Sequence, residues 1–170
     1  MTMVRASRCK WVNLKNPLYV KYHDEEWGVP SRDDAYLYEM LLLEMFVAGL
    51  SWECVLNKRE SFRAAFAGFH PQAVAAFGEG EVAALLQNPG IIRHRGKIEA
   101  AIANSRIFLQ IQAECGSFAT YAWDSPTTKW CTNPTHCAPP LHYRMRFPVT
   151  CGAAVCGSSV RLLPTPGCRL

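Results

Sequence analysis

The chain has 170 residues, a formal net charge of +4, 49% apolar and 19% charged side chains, which is the balance of a globular domain and excludes a disordered tract. Its longest apolar run, MLLLEMFVAGL, is broken by Glu44 and too short for a membrane span, so no membrane partner is expected. The opening MTMVRASRCKW has no apolar stretch of the secretory kind, which points to a cytoplasmic protein whose eight cysteines are thiols or metal ligands rather than disulfides.

In chain order, residues 9–31 read as a loop-rich cap that holds Cys9, Trp11, Tyr19, Tyr22, His23 and Trp27. Cys9 and His23 are zinc-ligand types, yet a structural tetrahedral site needs four donors, so they make half of one. Rings with polar edges suit a pocket that stacks a flat ligand and hydrogen-bonds its rim. Core packing uses the same residues.

The run RDDAYLYEMLLLEMFVAGL predicts a helix with Asp33 and Asp34 as N-cap and first-turn residues, stopping at Gly49. Leu37, Met40, Leu41, Glu44 and Ala48 fall on one stripe, which turns Glu44 toward apolar surroundings. An unpartnered buried carboxylate is costly, so Glu44 requires a partner in the fold or a ligand that brings hydrogen-bond donors. An exposed or salt-bridged Glu on a helix apolar all round fits the same pattern.

NKRESFRAAFAGF gives a shorter amphipathic helix ending near Gly68, and Pro71 opens PQAVAAF as a first-turn proline. GEVAALLQN is a further short helix closed by NPG. The turn PGIIRHRGKI, residues 89–98, then places Gly90, Arg93, His94, Arg95, Gly96 and Lys97 between two apolar runs. Glycines there allow close approach of a nucleic-acid strand, helix-terminal amides face a phosphate, and the basic side chains supply charge. A plain solvated helix connection has the same composition. After it, KIEAAIANSRIFLQIQAEC repeats apolar residues at helical steps through Ile98, Ala101, Ile102, Ile107, Leu109 and Ile111.

Residues 125–170 differ in kind. They hold five basic and no acidic side chains, five of the eight cysteines and seven of the eleven prolines. Without periodicity such a tail buries no obvious core and is expected to be disordered. Plausible codons for residues 149–168, read one base out of step, spell a basic helix start followed by an apolar run, which points to a frameshifted tail beginning near Ser125. Cys131, His136, Cys137 and His142 have poor zinc-ligand spacing. The organisation is therefore an all-α domain over residues 1–124 and an irregular or incomplete C-terminal part.

Together, RCKWV, NPLYVKYHDEEWGVP, LYEMLLLEMFVAGLSWECVLNKRESFRAAF and GIIRHRGKIEAAIANSR, in this order, closely resemble the DNA-3-methyladenine glycosylase I family over residues 8–123. The resemblance implies a helix-hairpin-helix glycosylase that flips 3-methyladenine out of duplex DNA and hydrolyses its N-glycosidic bond, acting as a monomer in the cytoplasm, at the nucleoid. It implies that Glu44 hydrogen-bonds the flipped base, that Tyr22 and Trp52 hold it, and that Tyr19, Trp11 and Trp27 shape the pocket. Gly49, Leu50 and Ser51 become a candidate wedge, and Gly90 to Lys97 the DNA-backbone hairpin. Cys9 and His23 match two of the family's four structural zinc ligands. Two departures stand out: Val47 replaces a usual Gln, and the family's C-terminal half with its other two ligands is absent. A DNA-binding derivative without catalysis and a small zinc-structured interaction protein are the competing expectations.

Overall fold

The computed structural model describes residues 8–124, and the tail expectations from Ser125 onward, including Cys131, His136, Cys137 and His142, lie outside them. Among the described residues every regular element is helical, in agreement with the all-α expectation: α1 (Pro17–Lys21), a π-helical turn (Tyr22–Glu26), α2 (Asp34–Val47), α3 (Trp52–Leu56), α4 (Arg59–Ala65), a 3-10 turn (Ala67–Phe69), α5 (Pro71–Ala75), α6 (Glu79–Gln87), α7 (Arg95–Cys115) and α8 (Phe118–Asp124). No helix among them is long and apolar enough to cross a membrane.

α2 is the central helix. Seven consecutive residues from Leu37 to Leu43 are buried, and so is Phe46, which is why a single apolar stripe understates its burial. Asp33 caps it as expected, its carboxylate accepting from the Ala35 and Tyr36 amides at 3.2 and 3.3 Å. Asp34 does something the sequence did not suggest. Its carboxylate accepts from Gln112 Nε2 at 2.6 Å and from the amides of Phe118 and Ala119 at 2.8 Å each, so the start of α2 caps the distant start of α8.

α7 packs against α2, α5, α6 and α8. Ile98, Ala101, Ile102 and Ile111 face the core as the periodicity predicts, but Ile107 and Leu109 are only half-buried and Phe108, between them, takes the core position. Phe108 stacks on Phe118 at 4.4 Å and meets Tyr38 edge-on at 4.9 Å. Burying one such ring contributes roughly 1.5–3 kcal/mol. A second ring cluster joins Phe46, Phe62 and Phe66, with Phe46 and Phe62 4.7 Å apart. Ser105 donates to Ala101 O at 2.7 Å, which leaves its oxygen to accept from the buried Tyr38 hydroxyl.

The cap over residues 9–31 is more ordered than a loop. Asn16 caps α1 by accepting from the Leu18 and Tyr19 amides, while its Nδ2 donates to Glu53 and Asn57 on or beside α3 at 2.8 Å. Asn13 donates to the same Glu53 oxygen at 2.8 Å. These bonds fasten the cap to α3, which Trp52 opens.

Candidate functional site

Glu44, Tyr22 and Trp52 come together from three elements. Glu44 lies in the last turns of α2 and is half-buried, as its stripe predicts. Trp52 opens α3, whose N-cap Ser51 accepts from the Cys54 amide at 3.2 Å. Tyr22 begins the π-helical turn, and its ring lies 5.1 Å from that of Trp52 with the planes 54° apart. Burial first, and the Glu44 carboxylate second, push the Tyr22 phenol well above its ordinary pKa, so it stays an O–H donor across the working range. The indole Nε1–H of Trp52 is buried and has no hydrogen-bond partner among the described residues. A buried donor of this kind calls for an acceptor.

The π-helical turn is held by a charge network that sequence reasoning missed. Arg59 of α4 donates from Nε to Glu39 Oε1 at 2.6 Å and from Nη1 to both oxygens of Glu26 at 2.8 and 2.9 Å. Arg63 donates to Glu39 at 2.8 Å, and Tyr36 OH donates to Glu26 at 3.1 Å. Burial works against the Arg59 cation, but hydrogen bonds to Glu26 and Glu39 outweigh it and raise its pKa. Burial and then Glu26 likewise raise the Tyr36 phenol. Glu26 lies four residues beyond Tyr22, so Arg59 fixes the turn that presents Tyr22 to the α2 helix that presents Glu44. Sequence offered one signal: Glu39 interrupts an apolar run, which demands a partner somewhere. It could not say that the partner lies 20 residues on.

The remaining aromatic residues form a second group. Trp11 lies 5.4 Å from Tyr19, 5.2 Å from His23 and 5.1 Å from Trp27, and Trp27 stacks on His23 at 5.4 Å with planes 14° apart. Trp11 and Trp27 thus pack on His23, and Tyr19 packs on Trp11 while lying near enough to Tyr22 to contribute to its raised pKa. Cys9 is buried beside them, its amide donating to His23 Nε2 at 3.4 Å. Asp24 sits on His23 Nδ1 at 2.9 Å and takes a bidentate grip from Arg8, which, with His23, lowers its carboxyl to about 2. A carboxylate behind a histidine ligand is a recurrent way to orient it. Sulfur and imidazole donors suit zinc, and this pair fits half of a tetrahedral set. Among the described residues no group of three or more His, Cys, Asp or Glu side chains is placed to hold a metal.

The basic turn joins α6 to α7. Gly90 is required by space: a Cβ there would meet Asn88 Oδ1 and Ser61 Cβ at 3.0 Å and Ser61 Oγ at 3.1 Å. The Gly90 amide donates to Asn88 Oδ1 at 2.8 Å, Lys58 donates to the Pro89 and Gly90 carbonyls at 3.2 and 3.4 Å, and Ile91 is buried. His94 caps α7, accepting from the Lys97 amide at 3.3 Å, so the Arg95 and Gly96 amides of the first turn stay available. The cations divide. Arg93 is exposed and in no ion pair among the described residues, whereas Arg95 pairs with Glu79 at 2.6 Å and Glu99 at 3.1 Å. Lys97 is committed inward, its Nζ donating to Phe46 O at 3.0 Å and Ala48 O at 2.6 Å.

Between α2 and α3, Val47 to Leu50 form a turn closed by Leu50 N–H donating to Val47 O at 2.6 Å. Ala48 at φ −44°, ψ 113° followed by Gly49 at φ 77° is the pattern of a type II turn, which is why glycine stands there. Leu50, which closes the turn, is 42% exposed, while Ser51 is occupied with capping α3.

The family model of methyladenine glycosylases matches residues 11–143. Over 116 residues the chain is 52% identical to DNA-3-methyladenine glycosylase 1 of Escherichia coli (strain K12), covering 68% of this chain and 62% of that protein. A crystal structure of 3-methyladenine DNA glycosylase I superposes with a TM-score of 0.67 at 52% identity, covering 69% of this chain and 64% of the other. A structure of the Staphylococcus aureus 3-methyladenine DNA glycosylase I, described as the structural basis of 3-methyladenine recognition, superposes with a TM-score of 0.63 at 38% identity, covering 65% of this chain and 58% of the other. The chain spans less than two thirds of the length of the curated relatives it matches.

Proposed function

The chain belongs to the methyladenine glycosylase family, and from that premise we propose that it releases 3-methyladenine from alkylated double-stranded DNA by hydrolysing the N-glycosidic bond. The observation that carries this reading is the convergence of Glu44, Tyr22 and Trp52 on one half-buried place, with a protonated phenol and an unsatisfied indole N–H as donors. A purine turned out of the stack fits such a place.

Methylation at N3 gives the adenine ring a positive charge and makes it a good leaving group. The faces of Tyr22 and Trp52 attract a cationic ring, and the nearby Glu44 carboxylate adds to that preference. Neutral adenine gains neither. When the C–N bond breaks, its electron pair leaves with the base, which departs as neutral 3-methyladenine. Water then bonds to the sugar carbon and gives up a proton to solvent, leaving an abasic site. Selective binding and positioning supply most of the acceleration. Trp11, Tyr19 and Trp27 back the slot from the His23 side. In this reading Leu50 fills the gap left in the duplex, and the helix-hairpin-helix formed by α6, the basic turn and α7 holds a phosphate through the Arg95 and Gly96 amides and Arg93. The protein acts as a monomer in the cytoplasm, at the nucleoid.

Zinc enters only as a structural proposal. Cys9 and His23 would hold two of its positions, and it would pin the N-terminal cap without touching the reaction. Metal analysis of the purified chain tests this: about one zinc per chain, lost in Cys9→Ser, supports it, and none in the wild type refutes it.

The catalytic reading is tested by base release from alkylated duplex DNA. The wild type should release 3-methyladenine, and Glu44→Gln should slow release while duplex affinity stays nearly unchanged. A wild type that binds duplex without releasing base would leave only the DNA-binding alternative.

A further inference from the structure

Of Arg93, Arg95 and Lys97 in the basic turn, Lys97 is the one turned away from solvent. α2 has no basic residue in its last turn, and its final carbonyls need partners. Val47 O is satisfied by Leu50 N–H, and the two carbonyls on either side of it, those of Phe46 and Ala48, are both taken by Lys97 Nζ. An ammonium at a helix C-terminus is favoured by the helix dipole as well as by the hydrogen bonds. Burial lowers the Lys97 pKa, in keeping with an ammonium withdrawn from water. Phe46 O lies just before the type II turn and Ala48 O inside it, Leu50 closes that turn, and Glu44 lies two residues before Phe46 on the same helix.

We propose that Lys97 is a positioning residue and not a phosphate ligand: it clamps the first turn of α7 to the last turn of α2, fixing the Leu50 turn and, through α2, the Glu44 carboxylate relative to the DNA-contacting hairpin. This rests on the glycosylase reading above for its functional consequence, though the clamp itself does not. Backbone docking at the hairpin and base capture at Glu44 thereby become one rigid unit, with Lys97 joining the end of α2 to the start of α7.

The test compares wild type, Lys97→Gln, Lys97→Arg and Arg93→Gln in the full chain by three measurements. These are the salt dependence of affinity for undamaged duplex, single-turnover base release at saturating enzyme, and hydrogen exchange of the Leu50 amide. A phosphate contact contributes about 0.9 to the slope of log affinity against log salt, so Arg93→Gln should lower that slope by about this much. Lys97→Gln should leave the slope at its wild-type value, slow saturated release by about tenfold to a hundredfold, and remove protection of the Leu50 amide while the Leu41 to Leu43 amides stay protected. Lys97→Arg, which still presents N–H donors, should recover most of both losses. A slope lowered by about 0.9 with Leu50 still protected would make Lys97 a phosphate ligand and overturn the proposal. Protection lost evenly through α2 and α7 would reduce Lys97 to a general brace and overturn it too. If the wild type releases no base, the glycosylase reading fails, and the exchange data alone decide the clamp.

Discussion

Arg59 and Glu39 meet at 2.6 Å, with the Glu39 side chain 8% and that of Arg59 16% exposed, and the same guanidinium reaches across to Glu26. One cation therefore ties α4, α2 and the Tyr22 turn together. Removing it leaves the buried Glu39 with Arg63 as its remaining cation.

Breaking a buried pair from one side costs about 3–5 kcal/mol, and Arg59→Met should destabilise the fold by somewhat less, because Glu39 keeps its contact with Arg63. Denaturant unfolding measures it. Adding Glu39→Leu should recover a large part of the loss, because the buried charge that Arg63 only partly compensates is then gone. If the double variant is no more stable than Arg59→Met, the destabilisation comes from lost packing instead.

Alkaline titration should expose the tyrosines. Burial raises the Tyr38 phenol to about 12, partly offset by its hydrogen bond with Ser105. A raised folded pKa means that the unfolded chain gives up its proton first, near the ordinary tyrosine value of about 10. Stability from this group is thus complete below about pH 10 and is lost as pH rises through about 12. Tyr38→Phe should flatten the fall of stability in that window by one proton's worth. An unchanged slope would show that Tyr38 ionises normally in the folded state.

Asp34→Ala should loosen α8 selectively. It removes the acceptors of the Phe118 and Ala119 amides and of Gln112, a capping loss of roughly 1–2 kcal/mol. Hydrogen exchange at Phe118 and Ala119 should accelerate while Ile98 and Ile102 in α7 keep their protection. Uniform acceleration would mean that Asp34 supports the whole fold rather than one helix.

Gly90→Ala should cost about 1–3 kcal/mol by overpacking, since the added methyl lands 3.0 Å from Asn88 Oδ1 and Ser61 Cβ. Thermal unfolding of this variant beside Ser61→Gly/Gly90→Ala separates the causes. Partial rescue by the second substitution identifies helix α4 as the obstacle. No rescue assigns the cost to the Asn88 turn.

Much of this protein was written locally. Asp33 as a cap, the long repeats of α2 and α7, the glycine at 49 and the all-α class follow from patterns contained within one helix or turn, where period and capping chemistry act at short range. The stripe that carries Glu44 belongs to the same class. The five-residue helices α1 and α3 escaped notice because so short a segment shows no full helical period. Their stability comes from tertiary packing and from caps such as Asn16 and Ser51.

Four features were decided only when the chain closed on itself. Asp34 caps α8 rather than merely opening α2, Lys97 serves the end of α2 rather than the surface, Arg59 joins three elements, and the aromatic residues divide between Glu44 and His23. Sequence could state that each of these groups needs a partner, since buried charges and end-of-helix amides and carbonyls must be satisfied. Which partner each one found depends on contacts between residues tens of positions apart, and no local pattern encodes that distance.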